Sequence, residues 1–194
     1  MGTQQIEEQV KELFPENQVA RMDWDSTRGK RSFDNIIESF TLGDVQILVG
    51  TQMLTKGLDF KNVALVGVLN ADPLLNFPEF RAHERSFQML SQVAGRSGRS
   101  KEQGNVLIQT FTPEHPVLLQ VIKNDYETLF ATQLKERREY QYPPFYRLIR
   151  ITLKVKDYHQ VDQAAQWLVN ALNLSLQGSV LGPVDPPIAR VRNL

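Results

Sequence analysis

The sequence contains no cysteine among its 194 residues. Neither a disulfide framework nor a thiolate zinc site can therefore form within it, and a reducing cytoplasmic compartment fits. No apolar run approaches the roughly 20 residues that a membrane-spanning helix needs, since the longest useful one is 63–69. The first residues show neither an N-myristoylation signal nor a charged-then-apolar leader. These absences argue against a secreted or membrane-spanning chain.

An excess of charge of one sign is also lacking, because 22 Lys and Arg residues balance 22 Asp and Glu residues. Any nucleic-acid contact must therefore come from a local basic surface and not from a global positive field. The 3 histidines, His83, His115 and His159, are scattered along the chain without metal-ligand spacing. We therefore expect no metal site within these residues.

Strand and helix patterns alternate along the first part of the chain. Apolar residues at helical spacing predict helices at 3–14, 33–40 and 80–94, with Thr3 as the N-cap candidate of the first. Short apolar runs predict strands at 18–22, 45–49, 63–69 and 105–110. Such alternation is typical of an α/β fold with a parallel sheet covered by helices on both faces.

The second part of the chain follows a different pattern. Two helical patterns occupy 113–140, and the prolines of 142–145 then force extended backbone and mark a domain boundary. Period-two alternation predicts a strand at 148–155, followed by a helix through 161–172 and a short strand at 180–181. One strand-helix-strand unit is too small to bury its own core, so it either packs on the first domain or belongs to a truncated domain.

A glycine-rich basic segment follows the predicted helix at 80–94. Residues 92–99 read Gln-Val-Ala-Gly-Arg-Ser-Gly-Arg, with Arg96 and Arg99 separated by small residues. Guanidinium groups can neutralise the charge of a transferring γ-phosphoryl group, and glycines let the backbone approach it closely. Taken alone, the segment is equally compatible with a basic turn after a helix.

A second polar segment, 50–60, directly follows the predicted strand at 45–49 and contains Thr51, Gln52, Gly57 and Asp59. Open α/β sheets place their ligands at the carboxyl ends of the strands. Short polar side chains there suit a phosphodiester backbone on one side and a nucleotide on the other.

Together, the segments 50–60 and 92–99 resemble motifs V and VI of superfamily 2 helicases, in the same order and with a strand and a helix between them. Within that superfamily the chain is similar to the PriA family of replication-restart helicases at 21–27, 62–72, 80–88, 125–126 and 142–145. The resemblance covers nearly the whole chain and weakens after about 156. Leu58 stands where the family usually has histidine.

The resemblance implies a RecA-like helicase lobe at 1–113 (motifs IV to VI), a helical connector with the Pro-Pro hinge at 114–145, and the start of a small C-terminal α+β domain at 146–194. In the lobe, Arg99 and Arg96 would be catalytic and face the γ-phosphate, with Arg99 the better arginine-finger candidate. The other implied contacts are ATP binding at Gln92, Gly57 and Asp59, and DNA binding at Thr51 and Gln52.

The resemblance also implies the reaction of a parent protein. ATP and Mg²⁺ would be bound mainly by a first lobe, because no Gly-Lys-Ser/Thr loop and no acidic Walker box precede 50–60. The family's structural Zn²⁺ is held by paired cysteines that this chain lacks, so we expect the chain to begin after that module. The implied activity is ATP-dependent 3'-to-5' unwinding at stalled replication forks in replication restart and primosome assembly.

The partners implied by the family are fork or single-stranded DNA, single-strand-binding protein and primosome proteins, and we expect a monomer. Two other interpretations stay open. A RecG-like fork-remodelling motor would share 92–99 but should lack 80–88, which is present. A non-catalytic docking module would predict no loss of the parent's ATPase activity on changing Arg99.

Three groups of side chains have two interpretations each. The polar residues of 81–85 either contact DNA or the first lobe, or form a solvated helix surface. The cations of 135–156 either follow a phosphate backbone or make local ion pairs. Trp24 and Trp167 are more often packed in a core or at its rim than used as base-stacking platforms.

We expect the 194-residue chain by itself to hydrolyse no ATP above background, with or without single-stranded DNA. The reason is that the Lys and Asp groups that hold phosphate and Mg²⁺ in phosphoryl-transfer enzymes are missing from its motifs. A phosphate-release assay measures this, with the Arg99→Ala chain as the control for contaminating activity. DNA-stimulated turnover that disappears in the control would contradict the prediction.

Overall fold

The computed structural model describes residues 2–23, 26, 32–55, 63–95, 104–176 and 179–185. The helices are α1 Thr3–Leu13, α2 Ser32–Leu42, α3 Asp72–Leu75, α4 Ala82–Ala94, α5 Pro116–Lys123, α6 Tyr126–Glu139 and α7 Tyr158–Ser175. The strands are β1 Val19–Met22, β2 Ile47–Gly50, β3 Leu65–Val68 and β4 Asn105–Ile108, and a short 3-10 turn spans Gln52–Thr55. The chain divides into two compact units, Met1–Leu134 and Lys135–Leu194.

The strands of the first unit pair in parallel, as predicted. β1 pairs with β2, with Met22 opposite Gly50, and β3 pairs with β4, with Val68 opposite Ile108. Helices occupy the crossovers, since α2 lies between β1 and β2 in sequence and α3 and α4 lie between β3 and β4. Parallel neighbours require such long crossover connections. The α/β class expected from the sequence is confirmed.

The sheets differ from the predicted arrangement in two ways. Within the described ranges the four strands form two separate two-stranded sheets and not one. Among the described residues, one face of the β3–β4 sheet also has no covering element, since Leu65 is 56% and Leu107 63% exposed. Val68 and Ile108 pack against the core on the opposite face. The burial alternates along both strands because helices pack on one face only.

The core of the first unit holds α4 in place. Its buried apolar residues are Ala71, Leu75, Phe87, Leu90, Val117, Leu118, Val121 and Leu129. Burying one large apolar side chain contributes about 1.5–3 kcal/mol. The hydroxyl of Ser86 also donates to the Leu74 carbonyl at 2.9 Å and so ties α4 to the end of α3. The segment that follows α4 therefore starts from a fixed position.

Thr3 is not the N-cap that the sequence suggested. Gly2 occupies the cap position without a side-chain hydrogen bond, and Thr3 is the first helical residue. The Thr3 hydroxyl instead donates to Oδ2 of Asp23, which follows β1. A tertiary partner has replaced the local capping bond, so Thr3 joins α1 to the strand layer.

The second unit contains one long helix, α7, which confirms the helix predicted there. Asp157 is its N-cap, and Oδ1 of Asp157 accepts a hydrogen bond from the Gln160 amide at 3.1 Å. The strands predicted at 148–155 and 180–181 do not form. Their backbone groups would need a neighbouring strand, and the described part of this unit contains none.

Two side chains illustrate the open packing of this second unit. Ile149, in the predicted strand, is 88% exposed, and Trp167 on α7 is 70% exposed. The expectation that Trp167 packs in a core or at its rim is therefore wrong.

The described helices include none that is both long enough and apolar enough to cross a membrane.

Two histidines meet where α4, α5 and α6 pack. The ring centroids of His83 on α4 and His115 at the start of α5 lie 5.3 Å apart in an edge-to-face arrangement. Nδ1 of His115 accepts a hydrogen bond from the Val117 amide at 3.2 Å and so caps α5. Burial, and secondarily the neighbouring His83, lower the pKa of His115, while Asp72 acts in the opposite direction. The folded chain therefore favours neutral His115.

We expect the free energy of unfolding to fall as the pH falls from about 7 to about 5. Because the folded-state pKa of His115 lies below its ordinary value of 6.5, the unfolded chain takes up a proton first and is favoured. Denaturant unfolding across this range measures the effect. His115→Asn keeps a capping side chain but cannot titrate, so it should show a shallower pH dependence.

The matched control is His159→Asn, at an exposed position on α7 in the second unit. With this substitution, the free energy of unfolding should depend on pH as it does in the unsubstituted chain. An unchanged slope for His115→Asn would contradict the assignment to His115.

Candidate nucleotide and DNA site

The candidate site begins at the carboxyl ends of β1 and β2. Met22 pairs with Gly50, so the residues that follow them, Asp23 and Thr51, lie at the same edge of the sheet. The side chains of Thr51 and Gln52 are exposed there. This edge is where parallel α/β sheets bind their ligands, and the two predicted DNA contacts lie on it together.

Gly50 allows an unusually close approach at this edge. A Cβ atom at position 50 would lie 2.6 Å from the Met22 carbonyl oxygen and 2.7 Å from Cδ1 of Leu54. Carbon atoms do not approach that closely, so any other residue would push the strand ends or the 3-10 turn apart. The Leu54 amide donates to the Thr51 carbonyl at 3.0 Å and closes the turn. The position of Thr51 and Gln52 therefore depends on the absence of a side chain at Gly50.

The 3-10 turn lies against α4. Helix α4 ends at Ala94, and the Gly95 amide donates to the Ser91 carbonyl at 2.9 Å. Gln92, predicted to bind ATP, is exposed on the last turn of this helix. The 3-10 turn, which begins at the predicted DNA contact Gln52, and the helix that carries the predicted ATP contact Gln92 therefore lie close together.

Four of the predicted site residues lie outside the described residues. These are the ATP-binding candidates Gly57 and Asp59 and the catalytic candidates Arg96 and Arg99. The structure thus places Thr51, Gln52 and Gln92. The described residues include no cluster of three or more His, Cys, Asp or Glu side chains suited to a metal ion.

The basic residues at the start of α4 are engaged within the chain. Nη2 of Arg81 lies 2.8 Å from Oε1 of Glu84, and Arg85 pairs with Glu79. These ion pairs favour a solvated helix surface over a nucleic-acid contact at 81–85.

Sequence reasoning missed the part that Asp23 plays at this edge. The residue is 8% exposed, and its Oδ1 accepts from the Ser26 amide at 2.8 Å. Hydrogen bonds, of which the one from Thr3 is the largest cause, lower the pKa of Asp23 to about 2. The carboxylate is therefore ionised at neutral pH. Its only sequence signal is the Asp-x-x-Ser spacing of a turn that follows a strand.

In the second unit, arginines hold the proline turn. Nη1 of Arg137 donates to the Pro143 carbonyl at 3.5 Å, and the guanidinium carbon of Arg138 lies 4.7 Å from the centre of the Phe145 ring. Later cations of the 135–156 run are exposed, namely Arg147, Arg150, Lys154 and Lys156. Within the cations of 135–156, Arg137 and Arg138 therefore make contacts inside the unit, whereas the cations of 147–156 are exposed to solvent.

Comparison with known families identifies the class of protein. The family model of the helicase conserved C-terminal domain matches residues 2–101, which is more than half of the chain. The chain therefore belongs to the helicase conserved C-terminal domain family. A second family model, the primosomal protein N C-terminal domain, matches residues 138–194.

Curated relatives point to one particular helicase. The replication restart protein PriA of Bacillus subtilis (strain 168) is 41% identical over 194 residues, which cover 99% of this chain and 24% of that protein. PriA of Synechocystis sp. is 41% identical over 192 residues, covering 98% and 23%. PriA of Haemophilus influenzae is 40% identical over 194 residues, covering 98% and 26%. These matches confirm the predicted resemblance, and the chain spans about a quarter of each relative's length.

We expect Gly50→Ala to destabilise the first unit by about 1–3 kcal/mol, the usual cost of forcing extra atoms into a packed site. Thermal unfolding followed by circular dichroism measures this. Gly67→Ala is the matched control, since a Cβ atom at this strand position meets nothing within 4 Å. Equal melting temperatures for the two variants would contradict the close approach at Gly50.

Proposed function

We propose that this chain is the second motor lobe and following C-terminal segments of an ATP-dependent 3'-to-5' DNA helicase that acts at stalled replication forks in replication restart and primosome assembly. The observation that carries the proposal is the contact between the 3-10 turn and α4. It joins an exposed polar turn at a sheet edge to the helix that leads into the paired arginines. Membership of a helicase family and the similarity to PriA proteins support it.

The DNA-facing part of the proposed site is the 3-10 turn with the residue before it. The Thr51 hydroxyl and the Gln52 amide can donate hydrogen bonds to phosphate oxygens, which position a strand without reading its sequence. Such contacts suit a motor that must move along any sequence. The neutral net charge of the chain agrees with contacts made by a few placed donors.

The nucleotide-facing part lies at the end of α4. We infer that Gln92, Gly57 and Asp59 contact ATP, and that Arg96 and Arg99 face its γ-phosphate. The exposed amide of Gln92 fits a nucleotide, because it can both donate and accept hydrogen bonds. When bound, ATP with Mg²⁺ supplies the transferable phosphoryl group, held mainly by the parent's first lobe. Closure of the two lobes would move α4 and the turn together.

The proposed division of the chain is a RecA-like lobe at 1–113, a helical connector at 114–145 and the start of a small α+β domain at 146–194. The two family models support it, because 102–137 lies between them and contains α5 and most of α6. Proposed partners are fork or single-stranded DNA, single-strand-binding protein and other primosome proteins, in the cytoplasm.

We expect Arg99→Ala in the full-length parent protein to lower the DNA-stimulated ATPase rate at least about 100-fold. A finger residue stabilises charge that develops as the γ-phosphoryl group leaves, so turnover should fall while DNA binding and the melting temperature stay nearly unchanged. Steady-state phosphate release measures the rate.

Arg81→Ala is the matched control, because it removes an arginine that is paired with Glu84 at the other end of α4. Its turnover should stay close to that of the parent protein. If Arg99→Ala also keeps the parent's turnover and unwinding, the segment 95–99 is only a structural turn.

A further inference from the structure

Asp23 is a buried carboxylate with partners from three places in the chain. Its Oδ2 accepts a hydrogen bond from Thr3 at the start of α1 and lies 3.4 Å from Nε of Arg21 in β1. Its Oδ1 accepts from the Ser26 amide, and its own amide donates to the Ser26 hydroxyl at 2.8 Å. A buried charge is tolerated only when it is paired and hydrogen-bonded in this way.

Arg21 extends the connection to a second point on α1. Its Nε lies 3.4 Å from Oε2 of Glu7 as well as 3.4 Å from Oδ2 of Asp23. Helix α1 is therefore joined to the end of β1 by a hydroxyl at its first residue and by a shared guanidinium one turn later. We call Thr3, Glu7, Arg21, Asp23 and Ser26 the α1–β1 clamp.

The clamp lies directly beside the proposed DNA contacts. Asp23 follows Met22, Thr51 follows Gly50, and Met22 and Gly50 are paired. Neighbouring strands lie about 4.8 Å apart, so Asp23 lies beside the exposed Thr51 at the carboxyl ends of the two strands. The apolar core of the described residues forms around α3 to α6 and the β3–β4 sheet, and Asp23 is not a member of it.

We propose that Asp23 is a positioning residue for DNA binding, which holds the carboxyl edge of β1 and β2 in the shape that Thr51 and Gln52 need. This inference rests on the proposed function of those two residues. The Asp23 carboxylate would repel a phosphate group if it faced DNA, but it is buried and stabilised mainly by the hydrogen bonds from Thr3 and Ser26, with Arg21 contributing less. Asp23 therefore acts by holding the carboxyl ends of β1 and β2 in place and not by contacting DNA itself.

The test uses the full-length parent protein and a fluorescein-labelled single-stranded oligonucleotide. Asp23→Ala should weaken binding by fluorescence anisotropy roughly 10-fold, which corresponds to about 1.4 kcal/mol. Asp23→Asn keeps an acceptor for the Ser26 amide and should recover part of this loss. In DNA-stimulated ATP hydrolysis, the DNA concentration for half-maximal rate should rise while the rate at saturating DNA stays unchanged.

Asp34→Ala is the matched control, since it removes an exposed carboxylate on α2 and should leave DNA affinity unchanged. Thr3→Val removes one clamp hydroxyl without touching Asp23 and should weaken binding in the same direction. If Asp23→Ala fails to fold, Thr3→Val provides the test of the inference. A folded Thr3→Val protein with unchanged affinity would then overturn the inference.

The double variant Thr51→Ala with Gln52→Ala separates the inference from the proposed function. If this double variant loses affinity while folded Asp23→Ala keeps it, the positioning role is wrong and the proposed DNA contact stands. If the double variant binds DNA as the parent protein does, the proposed contact itself is wrong. An equal loss in Asp34→Ala and Asp23→Ala would show that the loss is not specific to the clamp and would also overturn the positioning role.

Discussion

The approach of Gly50 to the Met22 carbonyl is the contact on which the candidate site depends. Because position 50 carries no side chain, two strand ends and a 3-10 turn share a space that a single carbon atom would fill. The turn is thereby set against α4, whose other side is buried in the core. The lack of space for a side chain at Gly50 thus fixes the distance between the polar residues Thr51 and Gln52 and helix α4, which precedes Arg96 and Arg99 in the sequence.

Helices α1 and α4 of the first unit are held in place by different interactions. Helix α4 is held by the burial of its apolar side chains, an interaction that has no preferred direction. It is also held by the Ser86 hydroxyl, whose hydrogen bond to the Leu74 carbonyl fixes the position of α4 relative to α3. α1 has no buried residue and is joined to the strand layer by Thr3 and Glu7. Apolar packing therefore places the proposed ATP side, whereas polar contacts place the edge next to the proposed DNA contacts.

The sequence predicted parallel strands, their crossover helices and the family, because period and motif order are local properties of the chain. It did not predict the exposed face of β3–β4, since a run of apolar residues does not reveal which helices cover it. The alternating pattern at 148–155 predicted a strand that does not form, and the described part of the second unit offers it no partner strand. The motifs predicted Thr51, Gln52 and Gln92 as site residues, and these stay predictions. The contacts of Asp23 were not predicted because its partner Thr3 is distant in sequence.

The ion pairs at the start of α4 bear on the thermodynamics of DNA association. Affinity for a nucleic acid depends on salt because each cation that meets a phosphate displaces condensed counterions. Arg81 and Arg85 already carry counter-charges from Glu84 and Glu79, so they displace few. In the proposed complex with DNA, the salt dependence of the affinity should therefore come mainly from cations other than these two arginines.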